Sequence, residues 1–533
     1  MAYVTLDFNV GMFANGTAYK NRQSWRSGSR VRWFGGVPRT MGGWERYTAA
    51  TGQPLDPLVT DPVTQAVRAI LGWKTNDGSM LYVAGHNEGL VAWRRSSNTV
   101  FDITPAGFTP RQKDYDIQSG YGNWFYGSDS YGTERPYEPS TTPTFNWCFR
   151  NWGENLLAAE RGQPSNLYEW DGTLATVATV VPNAPEDFDC FHVTGERIVM
   201  TAGTGTDQRL VQWSDSENNQ EWTPAVNNQA GFQRLPGIGR FRDIVNVADH
   251  YLLLSETDAY AARYLGPPFV YGFVAVGEDC GVVSPAAVIA AKDRCFWPGQ
   301  REFFMYNGTL QKVECPIMDR FAKALSGPQV SKMVGFLNSE WSECWWLYQS
   351  EDGSEVDSYI VFGYDEGYWI DGKLNRTAGG VSTALFGPLM VDHGGVVFRH
   401  DVPNTAPVGD DDFDVAELPY GEYTPSMSPA PEPKPIWLLT NPMDIGNGKV
   451  AYVSYINPDF ETEGAVDIYL LGQDRPGGPI NFFGPYVCDF PAGQSQPIPV
   501  RARGMLISAL IQSDSSNFTL GSLRLDVQVG GGR

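Results

Sequence analysis

Residues 67–105 contain four short segments rich in apolar and aromatic residues, separated by turns: VRAILGWK (67–74), MLYVAG (80–85), LVAWRR (90–95) and VFDITP (100–105). The succession recurs from residue 145 as FNWCFRNW, ENLLAAE, LYEWDG and LATVATVVP, and from residue 191 as FHVTG, RIVMTAG and LVQWSD. Segments of this length with turns this short are typical of antiparallel strands. The repeating unit is therefore predicted to be a small sheet of about four strands.

An aromatic residue marks the third strand of successive units, at Trp93, Trp170, Trp213, Tyr264, Tyr306 and Tyr364. Once the insert 106–143 and the helix-like stretch PIMDRFAKALS (316–326) are subtracted, the period is about 40 to 50 residues, which is typical of a β-propeller blade. We therefore predict an all-β protein with a propeller of about six to eight blades, in which residues 381–400 and N-terminal strands complete one blade. The alternative is a protein of several β-sandwiches, because sandwich strands recur at similar spacing.

Composition agrees with an all-β chain that folds in the cytoplasm. Gly and Pro are frequent, aromatic residues reach 13% and charged residues only 19% of 533 residues. Seven scattered Cys without a CxxC pair predict free, mostly buried thiols. Neither a leader peptide nor an apolar run long enough to span a bilayer is apparent, so we expect no membrane insertion.

The sequence divides into four predicted regions. A basic N-terminal segment (1–63) precedes the propeller (64–401), which carries the insert 106–143. Residues 402–436 alternate Pro with Asp and predict an extended linker. Alternating strands return in VAYVSYI, AVDIYLLG, RGMLISALIQS and GSLRLDVQV, which predict a C-terminal β-sandwich over 437–533.

Motifs that carry chemistry are missing from the sequence. The five His have no metal-ligand spacing, no GxSxG occurs, and GNGKV (446–450) lacks the Walker pattern. We therefore predict no catalytic, cofactor-binding or metal-binding residues, no cofactor and no enzymatic activity. A glycoside-cleaving enzyme is the alternative in this class, because propellers host glycosidases and carboxylates abound in the chain.

The charge of the chain is strongly acidic and unevenly distributed. Asp and Glu number 61 against 39 Lys and Arg, giving a net charge of −22 that argues against adhesion to nucleic acid. Residues 1–46 nevertheless carry seven basic against two acidic side chains, which leaves −27 for the rest. We identify Arg26, Arg30, Arg32 and Arg39 as candidates for docking to an acidic neighbour; the alternative is closure of the propeller by this segment, with solvated arginines.

The insert 106–143 alternates glycine with aromatic residues in GYGNWFYGSDSYGTERPYEP (120–139). Such an adaptable loop of low charge suits a protein interface or a channel lining, with Trp124, Phe125, Tyr126 and Tyr131 as candidates. A solvent loop between blades is the alternative. Stacking on single-stranded nucleic acid would require a basic groove that the insert lacks.

Six phrases follow one another along the chain: GMFANGTAYKNRQSWRSGSRVRWFGGVPRTMGGWE (11–45), the Gly/Tyr stretch at 121–133, WSDSENNQEWTP (213–224), YLGPPFVYGFVAVGEDCGVVSP (264–285), FFMYNGTLQKV (303–313) and VRARGMLISALIQSDSSNFTLGSLRLDVQVGGGR (500–533). Together and in this order, they resemble the tail nozzle or tail tubular B-type proteins of short-tailed bacteriophages. The sequence departs from the family pattern at Met505, where Arg often follows RG.

This resemblance implies a structural virion protein, made in the host cytoplasm and located in the tail. It implies a β-propeller subunit of a ring, expected to be a hexamer, that binds an adaptor or portal-proximal protein and a fibre or spike protein. Genomic DNA would then be a partner by passage, and an acidic channel wall would repel its phosphates. The alternative function is a receptor- or glycan-binding propeller tail protein, with Trp124 and Trp152 stacking on sugars.

Overall fold

The computed structural model describes residues 2–17, 20–114, 116–117, 141–142, 144–161, 165–380, 387–402, 434–462, 464–489, 496–514 and 518–530. Five short strands open the chain: β1 (Ala2–Leu6), β2 (Trp25–Ser29), β3 (Val31–Phe34), β4 (Val37–Thr40) and β5 (Gly43–Arg46). Gly35 and Gly36, both with positive φ, form the tight turn between β3 and β4.

Seven four-stranded antiparallel sheets follow in the described residues, and each is one blade of a β-propeller. Blade 1 contains β6 (Val67–Lys74), β7 (Met80–His86), β8 (Gly89–Arg94) and β9 (Phe101–Asp102). A two-residue pair lies between blades 1 and 2, namely β10 (Asp116–Ile117) and β11 (Thr141–Thr142). Blade 2 contains β12 (Trp147–Trp152), β13 (Asn155–Glu160), β14 (Leu167–Trp170) and β15 (Thr179–Val180). Blade 3 contains β16 (Cys190–Val193), β17 (Val199–Ala202), β18 (Leu210–Trp213) and β19 (Gly231–Arg234).

The next three blades repeat this order with strands of different lengths. Blade 4 contains β20 (Phe241–Val247), β21 (His250–Ser255), β22 (Asp258–Gly266) and β23 (Val270–Glu278). Blade 5 contains β24 (Ile289–Ala291), β25 (Arg294–Pro298), β26 (Phe303–Tyr306) and β27 (Leu310–Val313). The predicted helix is present as α1 (Met318–Ala324), and a 3-10 turn (Val330–Lys332) leads into blade 6. Blade 6 contains β28 (Val334–Asn338), β29 (Glu343–Gln349), β30 (Val356–Gly363) and β31 (Tyr368–Lys373).

Blade 7 is built from both sides of the propeller sequence. Its first three strands are β32 (Ala378–Gly380), β33 (Leu389–Val391) and β34 (Val397–Val402). The N-terminal strand β5 supplies the fourth, pairing antiparallel with β34 so that Trp44 lies opposite His400. An N-terminal strand therefore closes the propeller.

The first strand of every blade lies innermost, and these seven strands contact one another in cyclic order from β6 through β32 and back to β6. Apolar side chains fill the spaces between neighbouring blades. The aromatic residues that revealed the repeat lie in the third strands of blades 1 to 5, and Tyr364 directly follows that of blade 6. Trp93 and Trp170 are almost fully buried there. The repeat therefore encodes the packing of one blade on the next.

The last strands of the chain form a two-sheet β-sandwich together with strands from its beginning. They are β35 (Ile436–Thr440), β36 (Ala451–Thr462), β37 (Val466–Gln473), β38 (Ile480–Cys488), β39 (Ile498–Gly504), β40 (Leu506–Ser513) and β41 (Phe518–Val529). One sheet has the order β3-β4-β41-β36-β39, with β1 also paired to β41, and the other has the order β2-β35-β40-β37-β38. One continuous apolar core joins the sandwich to blades 5 to 7.

The segment 1–63 thus divides between two structural units, since β1–β4 belong to the sandwich and only β5 belongs to the propeller. Neither the strand-closing nor the docking interpretation anticipated this, because strand pairing across more than 400 residues leaves no local pattern. Most of the predicted linker 402–436 lies outside the described residues. All seven Cys are buried free thiols, and burial raises the pKa of Cys280 to about 11.

We predict that Trp44→Ala weakens the closed propeller strongly. Trp44 is 3% exposed, stacks on His400 with ring centroids 5.2 Å apart, and lies under the Arg30 guanidinium at 4.7 Å. Removing a buried indole should lower the free energy of unfolding by about 3 to 5 kcal/mol. Urea denaturation followed by tryptophan fluorescence measures the change. Phe232→Ala, at a 61% exposed aromatic, is the control; equal midpoints for the two variants would contradict the closure.

Candidate functional site

A cavity of about 360 Å³ lies on the axis of the propeller, where residues of all seven innermost strands line it. Most of its wall is apolar and includes Trp147, Phe149, Val288 and Val334. The polar and charged residues of the wall are Arg68, Arg150, Arg161, His192, Asp243 and Asn246. Cationic side chains are therefore concentrated at the axis of a strongly acidic chain.

Two of these arginines share one carboxylate. The guanidinium of Arg161 lies 3.0 Å from Asp243 Oδ1, whereas Arg150 Nη2 lies 3.8 Å from the same oxygen. Arg150 Nε also donates a hydrogen bond to His192 Nδ1 at 3.0 Å. Burial and the adjacent Arg150 hold the pKa of His192 well below its usual value. The imidazole is therefore neutral, with its proton on Nε2.

A second ion-pair cluster surrounds Arg68, next to the cavity. Arg68 donates two hydrogen bonds to Glu355, at 2.8 and 2.9 Å, and the buried Lys332 Nζ lies 3.6 Å from the same carboxylate. Burial alone would raise the pKa of Glu355, but Arg68 and Lys332 outweigh it and lower that pKa to about 2. Glu355 is therefore ionised throughout the physiological range.

The described ends of the insert 106–143 are attached beside this cluster. On one side, Lys332 Nζ donates to Asp114 Oδ1 and Arg68 Nη2 donates to the Lys113 carbonyl at 3.3 Å. On the other side, Asn146 Nδ2 donates to the Ser331 carbonyl at 2.6 Å. A residue of the insert and a residue that follows it therefore bind the same 3-10 turn. The candidate residues Trp124, Phe125, Tyr126 and Tyr131 lie outside the described residues.

The candidate docking arginines occupy different environments. Arg30 and Arg32 are buried, so these two belong to the interior of this chain and not to an exposed docking surface. Arg26 and Arg39 are half-buried, and Arg39 lies over the Phe34 ring at 5.0 Å. Sequence counts of charge could not separate these cases, because they contain no information on burial.

Arg32 connects the sandwich to two blades. Its guanidinium forms a bidentate pair with Glu343 in blade 6, at 3.0 and 3.1 Å, and donates to Asp401 in blade 7 at 2.9 Å. Tyr368 Oη and Trp345 Nε1 also donate to Glu343, at 2.7 and 2.9 Å. Burial opposes the charge on Arg32, but the two carboxylates outweigh it and raise its pKa.

Two of the five His and the sugar-stacking candidate Trp152 take structural positions. His393 Nε2 is 2.7 Å from the Val356 carbonyl, and Arg376 Nε donates to His400 Nε2 at 3.1 Å. Trp152 is half-buried beneath the Arg197 guanidinium at 5.7 Å. Within the described ranges, no group of three or more His, Cys, Asp or Glu side chains could hold a metal ion. No helix in that part of the chain is long and apolar enough to cross a membrane.

Comparison with known proteins gives similarity in structure only. No family model matches the chain, and no curated protein matches it. Among solved structures, the chain is similar to the Pan2 WD40 domain of Neurospora crassa, with 9% identity, a TM-score of 0.37, and coverage of 71% of this chain and 98% of that chain. It is also similar to the AfRom2 CNH domain, with 9% identity, a TM-score of 0.34, and coverage of 68% and 98%.

We predict that Glu355→Gln destabilises the protein in a pH-dependent way. The pKa of Glu355 in the folded chain, about 2, lies below its ordinary value of 4.5. Its contribution is therefore present above about pH 4.5 and is lost as the pH falls towards 2. The variant should lose about 3 kcal/mol near pH 7 and approach the parent protein in acid. Urea midpoints across this range measure the difference, and a gap that stays constant with pH would contradict it.

We predict that Arg32→Met costs about 3 to 5 kcal/mol of unfolding free energy, because it leaves buried carboxylates without their cation. The double variant Arg32→Met/Glu343→Gln should recover part of this loss, since one of those charges is removed. Arg234→Met is the matched control, because Arg234 and Asp207 form an exposed pair worth less than about 1 kcal/mol. Equal losses for Arg32→Met and Arg234→Met in urea denaturation would show that the buried pair has no special role.

Proposed function

We propose that this protein is a structural virion protein, a subunit of the tail nozzle ring of a short-tailed bacteriophage. In this role it forms the distal conduit for DNA ejection and attaches to an adaptor and to fibre or spike proteins. One observation carries the proposal: the N-terminal residues that resemble the nozzle family lie where the sandwich, blade 6 and blade 7 meet.

Three parts of that N-terminal phrase make this junction. Asn15 Nδ2 donates to the Cys315 carbonyl at 3.1 Å, just before α1. The Gly35 amide donates to Glu366 Oε1 at 2.6 Å, in the turn before β31. Gly42 approaches the Asp401 backbone so closely that a Cβ there would lie 2.6 Å from its carbonyl carbon. These contacts of the N-terminal phrase hold the sandwich and the propeller in one orientation.

A fixed relation between domains suits a subunit of a ring. Each subunit of a conduit must present the same surfaces to its two neighbours, and a hinge between domains would broaden the angle between them. The shared core and the buried Arg32 pairs oppose such a hinge. This rigidity supports an architectural role.

Charge supports a conduit through which DNA passes without adhering. The net charge of −22 makes the subunit as a whole repel phosphate, and binding by counterion release requires surplus Lys and Arg. The predicted acidic wall would line the channel that the subunits form together in the ring. A single chain does not contain that channel. The axial cavity is a separate space, and its volume of about 360 Å³ is that of a small-molecule pocket and is too small for a duplex.

The test is the symmetry of the assembled protein. We expect the full chain, purified at high concentration and imaged by cryo-electron microscopy, to form rings with six-fold symmetry, and we expect mass spectrometry to find it in purified virions. A stable monomer that is absent from virions would contradict the proposal. A glycan array distinguishes the alternative function, because a conduit should bind no glycan and a receptor-binding propeller should bind at least one class.

A further inference from the structure

We propose that the axial cavity of the propeller is a binding site for a small anion with a carboxylate or phosphate group. This inference is independent of the proposed function, since the site lies within one subunit. It rests on the volume of the cavity, on the balance of charge at its wall and on the hydrogen bonds that hold Arg150 in place.

The wall of the cavity carries more positive than negative charge. Three guanidiniums line it, from Arg68, Arg150 and Arg161, against the single carboxylate of Asp243. Glu355 forms a salt bridge that neutralises Arg68. Of its two arginine partners at the wall, Asp243 lies closer to Arg161. Arg150 is left with the longer 3.8 Å contact to Asp243. The site therefore has about one positive charge available to a ligand.

The guanidinium of Arg150 is preorganised. Its Nε donates to His192 Nδ1 at 3.0 Å and its Nη1 donates to the Phe149 carbonyl at 2.9 Å. The Arg150 side chain is 25% exposed, so a ligand can reach it. Because His192 only accepts from Arg150, it adds no negative charge. An anion would find a guanidinium already fixed in orientation, which reduces the entropy lost on binding.

Arg161 is held more firmly than Arg150. Its side chain is 7% exposed, its Nη1 donates to the Arg242 and Pro285 carbonyls at 3.2 and 2.6 Å, and its Nη2 donates to Asp243 Oδ2 at 3.1 Å. A ligand therefore meets Arg161 as a nearby positive charge, and Arg150 is the donor that it contacts.

Size and wall chemistry narrow the ligand class. A volume of about 360 Å³ falls at the lower end of small-molecule pockets and excludes a polymer. Trp147, Phe149, Val288 and Val334 provide apolar contact. A compact anion with an apolar body, such as an aromatic carboxylate, should therefore bind more tightly than inorganic phosphate.

The experiment titrates the full chain with sodium benzoate and with sodium phosphate, using sodium chloride at equal ionic strength as the reference. We expect a saturable change in tryptophan fluorescence, because Trp147 lines the cavity, and a rise in Tm that chloride does not reproduce. Arg150→Gln should weaken binding by at least about tenfold, as expected for a charged hydrogen bond. Arg150→Lys should retain part of the affinity, and Arg234→Gln, at an exposed arginine, should change nothing.

Three results would overturn the proposal: no saturable signal with either anion, an effect matched by chloride, or equal affinity in Arg150→Gln and the parent. Circular dichroism and urea midpoints establish that each variant is folded. If Arg150→Gln is not folded, Arg150→Lys decides, because an affinity equal to that of the parent would then contradict a site at Arg150, whereas a lower affinity would support it. Ring formation is measured separately, so failure of the anion site leaves the proposed function unaffected, and the reverse also holds.

Discussion

The buried contact of Arg32 with Glu343 and Asp401 fixes the arrangement of the whole chain. It joins a strand of the sandwich to blade 6 and to the end of blade 7, which are 311 and 369 residues away in sequence. A charge in such an interior is tolerated only when it is paired and hydrogen-bonded. Tyr368, Trp345 and Asn338 complete the hydrogen bonding of the two carboxylates, so any shift of one domain against the other would leave a buried charge unsatisfied.

In this geometry the N-terminal segment takes part in both domains. Along the N-terminal segment, the sandwich strands β1 and β2 come first, the sandwich hairpin β3–β4 that contains Arg32 follows, and the closing strand β5 comes last. The ring of blades is therefore completed by the same segment that attaches the sandwich. The sandwich in turn requires β35–β41, which come last. The propeller therefore requires pairing between β5 and β34, and the sandwich requires pairing between β1 and β41; long-range pairing of this kind makes folding slow.

The sequence was informative where structure repeats locally. The aromatic residues at period 40 to 50 located the third strand of five blades, and PIMDRFAKALS located the single α-helix of the described residues. The sites depend on long-range contacts, and for these no signal existed. Nothing in RVRWF indicates that Arg32 pairs with two distant carboxylates, and nothing in FNWCFRNW indicates that Arg150 faces the axis beside an Asp from blade 4. The excess of basic residues near the N-terminus predicts exposed arginines, but Arg30 and Arg32 are buried, because a count of charges contains no information on burial.

The proposed function depends on the negative net charge of the whole subunit, whereas the proposed anion site depends on positive charges inside the propeller. Net charge describes the field that a large ligand meets from outside, and at −22 that field opposes the approach of a polyanion. A small anion inside the propeller meets nearby guanidiniums in a setting of lower dielectric, where close charges outweigh distant ones. Exclusion of DNA and attraction of a small anion are thus compatible in one subunit, since size decides which field each ligand meets. Because the net charge and the charges at the cavity act on different ligands, the acidic composition argues against a nucleic-acid binder and does not argue against a site for a small anion.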